Sequence, residues 1–417
     1  MESEENLRLA SASEKKEARI AGISFSVAAV ILGAFAGVIV WLFLKLSGAC
    51  LFFLWEVLPA RFETAYYPLL LCVAGGIIIG LWRKKFGDYP QGTHEVIETV
   101  KTTGRYDSRG IHVLFFAAFL PIIFGGSIGP EAGLVGIIAA LFTWVGDRLK
   151  YTFKETRELT QIGISTSLGV VFEAPLFGFL GQIEGEGENL SFPRRTKVIV
   201  YLCAILGGFG TYFLLDSFFG GGLHFGKFDT INIGRIEIVW FIPLALLGIL
   251  AAGCHFIIDG ALCFILKPWQ RFPIALAILA GILLGICGIF FPILLFSGET
   301  KMTELNAGWV TMGVSLFLMG FLKLILFNIC IQMGWRGGNI VPLVFVGMCF
   351  GYGASVIVGT DGVFACAVVL TVIFAAIMRK PITVVLLMLI FFPAKDIIFL
   401  IAAAFIGACF PFYRARQ

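Results

Sequence analysis

Two short runs built from glycine, a polar residue, isoleucine and proline carry the most chemistry in this sequence. The first is Gly125-Gly126-Ser127-Ile128-Gly129-Pro130, and Glu131 follows it directly. The second is Gly337-Gly338-Asn339-Ile340-Val341-Pro342. Each opens onto an apolar stretch that reads as a helix. Glycine permits close, non-helical backbone approach, and proline in a first turn starts a helix without forfeiting a hydrogen bond. Each run is therefore predicted to be a helix N-terminus whose first N–H groups have no intrahelical acceptor. Two such ends brought together make a nest of donors with partial positive charge, and the ligand that suits it is an anion. The dipole supplies about 0.5–2 kcal/mol per helix end. That is enough to hold a small anion and little enough to let it go, as conduction requires. The competing reading is that these glycines serve only close helix packing.

Other reactive combinations lead nowhere. His94-Glu95 has no second histidine at zinc-protease spacing. Gly220-Gly221-Gly222 lacks the Lys-Ser/Thr of a phosphate loop. Gly-x-Ser occurs at Gly22-Ile23-Ser24, Gly163-Ile164-Ser165, Gly313-Val314-Ser315 and Gly353-Ala354-Ser355, with His255 well inside an apolar run. An intramembrane hydrolase would need one of those serines beside it, and with 50 glycines such matches arise by chance. The ten cysteines are scattered, with no CxxC pair, so neither a disulfide framework nor a metal site is expected. No cofactor motif is present, and the chain is not read as an enzyme.

The elements that must position these groups follow from composition. Of 417 residues, 59% are hydrophobic and 14% charged, against about 45–50% and about 25% in soluble proteins. Mean hydropathy is +0.94. A soluble domain cannot bury that much apolar surface, and a net charge of +4 suggests no polyanionic partner such as nucleic acid. Nearly uncharged runs cover 20–44, 65–82, 111–130, 132–146, 198–215, 238–258, 272–298, 305–322, 324–335, 337–360, 362–378, 381–394 and 397–413. Several are shorter than the roughly 20 residues of a straight span. Broken helices at membrane depth are tolerated where they are buried in protein or line a polar cavity, which points to a channel or transporter. The expectation is an all-α, multi-pass cell-membrane protein. A short segment, 1–19, precedes a membrane domain at 20–413, and no C-terminal soluble domain follows. Lys15, Lys16 and Arg19, then Arg83, Lys84 and Lys85, then Arg414 and Arg416 place both termini and the 83–110 loop in the cytoplasm.

The chain also reads as a repeat. The two glycine runs start 212 positions apart, and a second pair, Phe172-Glu173-Ala174-Pro175-Leu176 and Met378-Arg379-Lys380-Pro381-Ile382, has its prolines 206 apart. Two related halves, about 20–215 and 236–413, are expected, inverted if each has an odd number of spans.

In order and spacing these motifs resemble the CLC family of chloride channels and proton/chloride antiporters, from about residue 70 to 395. Gly126-Ser127-Ile128-Gly129-Pro130 is similar to that family's Gly-(Lys/Arg)-Glu-Gly-Pro. Gly337–Pro342 resembles Gly-Gly-Ile-Phe-Ala-Pro, Phe172–Leu176 resembles Phe-Asn-Ala-Pro-Leu, and Met378–Thr383 resembles Ile-Arg-Ala-Pro-Leu-Thr. The resemblance implies a CLC-like fold of two inverted repeats with tilted, partly broken helices. It also implies a homodimer in the lipid bilayer and chloride or another small anion held by backbone amides. The N–H groups of Ser127, Ile128 and Gly129 would face an external site, with Gly126 beside them in the anion-binding set. Gly338, Asn339, Ile340 and Val341 would form a central one. Gln91 would stand where the family has its anion-contacting serine. The family's gating glutamate falls on Ile128, which cannot titrate. Its inner proton-transfer glutamate falls on Gly185, with Glu184 one residue earlier and Glu186 and Glu188 beyond. Its central-site tyrosine has no counterpart, since Tyr413 is wrongly spaced. These departures imply a passive anion channel. Against them stands Glu131, in a helix's first turn, where it either braces the helix or acts as a displaced gate. The alternative is thus a proton-coupled antiporter using Glu131 or Glu184. Glu173 is expected to be a buried charge near Arg336 or Lys323.

Overall fold

The computed structural model describes residues 2–62, 64–106, 110–149, 153–184, 194–223, 225–228, 231, 233–298 and 313–410. Side chains are described from residue 26 onward, apart from 62, 153–155, 182–183 and 194–197. No strand occurs among the described residues. The helices are α1 (Glu2–Phe52), α2 (Pro59–Phe62), α3 (Tyr67–Phe86), α4 (Thr93–Thr103), α5 (Ile111–Ile123), α6 (Glu131–Arg148), α7 (Phe153–Val171) and α8 (Pro175–Ile183). They continue with α9 (Arg194–Phe219), α10 (Arg235–Leu266), α11 (Pro273–Phe290), α12 (Gly313–Gln332), α13 (Ile340–Val358), α14 (Gly362–Met378), α15 (Pro381–Met388) and α16 (Ile397–Ala408). Among the described residues, six helices are long and apolar enough to span a bilayer by length and composition, and α5 and α14 are shorter apolar helices. Long α10 keeps its outer face apolar and exposed, with Ile238, Val239, Ile242, Leu246 and Leu250 all open, as lipid contact demands. Helix α13, by contrast, is 83% buried across its most apolar window. It is the most buried of the six candidate spans among the described residues.

The repeat is visible in the backbone. At the end of α5, Phe124, Gly125 and Gly126 donate N–H to the carbonyls of Leu120, Ile122 and Pro121. At the end of α12, Met333, Gly334 and Trp335 donate to Ile329, Ile331 and Cys330 in the same pattern. Both are Schellman turns, each with a glycine at positive φ, 90° at Gly125 and 100° at Gly334. Helices α6 and α13 then begin at Glu131 and Ile340. The equivalence is therefore Gly125 with Gly334 and Gly129 with Gly338, a step of 209 residues. This corrects the 212-residue register that matching the Gly-Gly pairs suggests. The second landmark keeps its 206-residue step: Glu173 and Arg379 both take positive φ, 50° and 54°. Ala174 and Lys380 follow with nearly identical torsions before Pro175 and Pro381 start helices.

Equivalent elements also pack on one another, as they must near a two-fold axis: α3 on α11, and α8 on α15. Helices α3 and α11 approach closely because a Cβ at Gly80 would lie 2.7 Å from the Ile274 Cα, the small-residue contact that holds membrane helices together. Buried Lys323 on α12 donates from Nζ to the carbonyls of Leu294 at 3.0 Å and Phe296 at 2.5 Å, and it lies over the Phe345 ring. It fastens the turn after α11 to α12 and α13.

Candidate functional site

The starts of the two half-helices meet. Gly129 donates N–H to the Gly338 carbonyl at 2.8 Å, and Gly338 donates back to Gly129 at 2.7 Å, an antiparallel bridge between equivalent residues. The turns that lead into this crossing are pinned. The Trp55 indole N–H donates to the Ile123 carbonyl at 2.9 Å, and the Trp335 indole donates to Ala277 on α11 at 2.8 Å.

Into this crossing points one charge. Glu131 is fully buried. Its Oε1 accepts the Ile340 N–H at 2.7 Å and the Val341 N–H at 3.4 Å. Residue 131 opens helix α6 of the first half, while the amides it occupies open helix α13 of the second. The carboxyl group lies in space that only glycine leaves vacant, because a Cβ at Gly129 or at Gly338 would overlap it. Glu131 and Ile340 are equivalents in the repeat, so the carboxylate has no counterpart in the second half.

The other candidates fall as follows. Ile128 donates its N–H to the Gly126 carbonyl at 2.9 Å, and its side chain is buried against Gly337. The amides of Ile128, Gly129 and Gly338 are thus donated within the protein. Those of Ile340 and Val341 face a carboxylate. Ser127 is fully buried, and its hydroxyl has no partner among the described residues. Asn339 is the N-cap of α13 without a side-chain capping bond. Gln91 lies half-buried before α4, with its backbone N–H toward the Tyr106 hydroxyl. Glu184 caps α15: its carboxylate accepts the Thr383 N–H at 2.7 Å, the Ile382 N–H at 3.1 Å and the Thr383 hydroxyl. It is a repeat-one carboxylate on a repeat-two helix, as Glu131 is. Glu173, expected to be buried, is half-buried at the turn after α7, where the chain leaves the packed helix for Pro175; Lys323 donates to carbonyls and Arg336 to Asp88. Gly185, Glu186, Glu188, Tyr413, Arg414 and Arg416 lie outside the described residues, as do the side chains of segment 1–19. His255 lies beside Asn328, Nδ1 to Nδ2 3.2 Å.

Two groups escape a reading of the sequence. Tyr106 is buried under α6, where a Cβ on Gly136 would lie 3.6 Å from its hydroxyl. Burial, reinforced by Tyr89 and Glu95, pushes that hydroxyl well above its ordinary range, so it remains an O–H donor. Asp88 collects Arg83, through Nε and through Nη2 at 3.1 Å, and Arg336 at 3.4 Å. Burial works to raise its pKa, but the Arg83 hydrogen bond and both guanidinium charges hold it below the usual carboxylate value. The basic cluster at 83–85 is legible in the sequence; the acid at 88 and the distant Gln270 and Arg336 that join it are not.

Compared with known proteins, residues 75–411 match the family model described as voltage gated chloride channel. YfeO of Escherichia coli O17:K52:H18, a protein named for a proposed role in ion transport, is 24% identical over 333 residues, covering 78% of each chain. YfeO of Escherichia fergusonii matches equally, at 24% over the same span and coverage. Among solved structures, a slow cyanobacterial Cl−/H+ antiporter superposes with a TM-score of 0.76 at 18% identity, over 92% of this chain and 93% of that one. A CLC-type fluoride/proton antiporter gives 0.69 at 18%, over 93% and 94%. At such identity these structures speak to the fold.

Proposed function

This chain belongs to the voltage-gated chloride channel family of multi-pass anion-transport proteins, and we propose that it passes a small anion, chloride by default, through the Gly129–Gly338 crossing under control of Glu131. The observation that carries this reading is the Glu131 carboxylate on the Ile340 and Val341 amides. A carboxylate there is a tethered anion on the donors that a free anion would use. Inserting one at mid-membrane depth costs about 2.5–3.5 kcal/mol. Charge-assisted hydrogen bonds return about 1.5–3 kcal/mol each, the longer Val341 bond contributing less, and the helix terminus adds up to about 2 kcal/mol. Cost and return are of the same order. A proton, or a competing anion, is enough to release the carboxylate. The gate expected at Ile128 is thereby supplied from three residues later in the chain, and Glu184 serves as a structural cap.

This favours proton-linked transport, and the two solved antiporters fit it. Passive conduction is the second reading, supported by the non-titrating Ile128 at the family's gate position. Gly126, Ser127, Ile128, Gly129, Gly338 and Asn339 shape the crossing, and Gln91 keeps the place that the family resemblance gives it. The working unit is taken as a homodimer with one pathway per subunit and cytoplasmic termini.

Protein in chloride-loaded liposomes under a potassium-ionophore clamp tests the choice. The expected result is chloride efflux with uphill proton entry, and Glu131→Gln abolishing the proton movement while chloride still flows. Chloride flux with no proton movement in the wild type, unchanged by Glu131→Gln, identifies a passive channel. Vesicles no leakier than empty ones end the anion-transport reading.

A further inference from the structure

The basic end of α3 lies against a second basic segment. Helices α3 and α11 run antiparallel: a Cβ at Gly76 would lie 2.9 Å from the Ile278 Cα, and one at Gly80 would lie 2.7 Å from the Ile274 Cα. One turn further along α3, the same register brings Lys84 level with Gln270. The Arg83 guanidinium fixes that register, donating from Nη2 to the Gln270 Oε1 at 2.7 Å. The end of α3 is therefore held beside the turn between α10 and α11, which carries Lys267, Trp269, Arg271 and Phe272.

Lys84, Lys85, Lys267 and Arg271 are all exposed, and none of them has an ion pair among the described residues. The carboxylates tied to this corner are engaged: Asp88 takes Arg83 and Arg336, and Asp259 accepts the Gln332 amide at 2.6 Å. The patch thus keeps its positive charge. Between its cations stand open rings. Trp269 is 57% exposed and Phe272 47%, Arg271 lies over the Phe272 ring, and Lys85 lies over Phe86. One helical turn deeper, Leu81 on α3 and Phe264 on α10 are open. Cations and amphipathic rings at one level, with bare hydrocarbon directly inside, match a phospholipid with its headgroup outward and its acyl chain inward. A soluble polyanion would match the cations alone.

We propose that the end of α3 and the α10–α11 turn form a binding site for the phosphate headgroup of an anionic phospholipid. Its place in the cytoplasmic leaflet rests on the positive-inside orientation. The binding itself does not, and neither depends on what passes the Gly129–Gly338 crossing.

Native mass spectrometry of the full-length protein tests it, with the protein stripped of lipid in detergent and titrated with dioleoylphosphatidylglycerol or dioleoylphosphatidylcholine. Phosphatidylglycerol is expected to bind more tightly, by about fivefold for each basic residue engaged. Lys84→Gln with Arg271→Gln is expected to weaken it about 30-fold and to leave phosphatidylcholine unchanged. Lys227→Gln with Lys395→Gln, on segments joined at the opposite end of α10, is the control and should change neither. Glycerol 3-phosphate at the same concentration should not displace the lipid. Equal affinity for the two lipids overturns the proposal, and so does a control pair that weakens phosphatidylglycerol as much as the test pair. Displacement by glycerol 3-phosphate also overturns it, because the site would then make no use of the acyl chain. Lys85→Gln and Lys267→Gln, each assayed alone, should weaken phosphatidylglycerol about fivefold, so the outcome does not hang on one variant's folding.

Discussion

At Glu131 a helix start and the place proposed for an anion coincide, and glycine is what allows the carboxylate to sit there. Gly338→Ala would push a methyl into the carboxyl group. Overpacking of this kind costs about 1–3 kcal/mol, relieved if the carboxylate swings out of the crossing. The expected outcome is a lower melting temperature and a chloride flux as insensitive to pH as that of Glu131→Gln. Gly48→Ala, where a Cβ meets nothing within 4 Å, is the control and should change neither. That Glu131 opens a helix was legible in the sequence. Its destination was not, because the donor amides lie 209 and 210 positions away and a helix N-terminus carries no side-chain signature of who will cap it. The same blindness explains the shifted register. Gly337 and Gly338 look like Gly125 and Gly126, but they are glycines for a different reason: they clear space for Ile128 and Glu131, while Gly334 makes the turn.

Helices were easier to read than their ends. Runs of apolar residues located α3, α10, α14 and the part of α1 beyond residue 20, while Pro175 and Pro381, legible as repeat landmarks, open α8 and α15 in the structure. The Glu184 cap on α15 lay beyond reach, since a carboxylate just past one helix gives no hint that it serves another. Glu184→Gln removes the charge from that cap, so about 1 kcal/mol of stability should be lost while proton-linked flux persists. Thermal melts beside the liposome assay separate this from Glu131→Gln. The Asp88 cluster ties the end of α3 to the segment before α13. Its folded pKa is depressed, so its stabilisation is present above the unfolded carboxylate value of about 3.9 and fades as pH falls below it. Wild type and Asp88→Asn should differ in melting temperature at pH 7 and converge toward pH 3.

For the molecule as a whole, composition and the positive-inside pattern led to a multi-pass membrane protein, and paired motifs led to two halves. What they could not convey is that equivalent helices meet each other, α3 with α11 and α8 with α15. Alternation of apolar and polar residues says which face is buried, not against what. Two predictions belong at this scale. Light scattering of detergent-solubilised protein should give twice the 45.5 kDa chain mass. A membrane-impermeant amine reagent should modify Lys84 and Lys85 only when supplied from the cytoplasmic face.

Duplication alone would have produced a device with no front or back. Because isoleucine stands at 340 where glutamate stands at 131, the scaffold's symmetry stops at its acid, and under the proton-linked reading the two membrane faces are not interchangeable. Acidifying one compartment should therefore accelerate flux far more than acidifying the other by the same amount, giving the protein a built-in direction that its scaffold lacks.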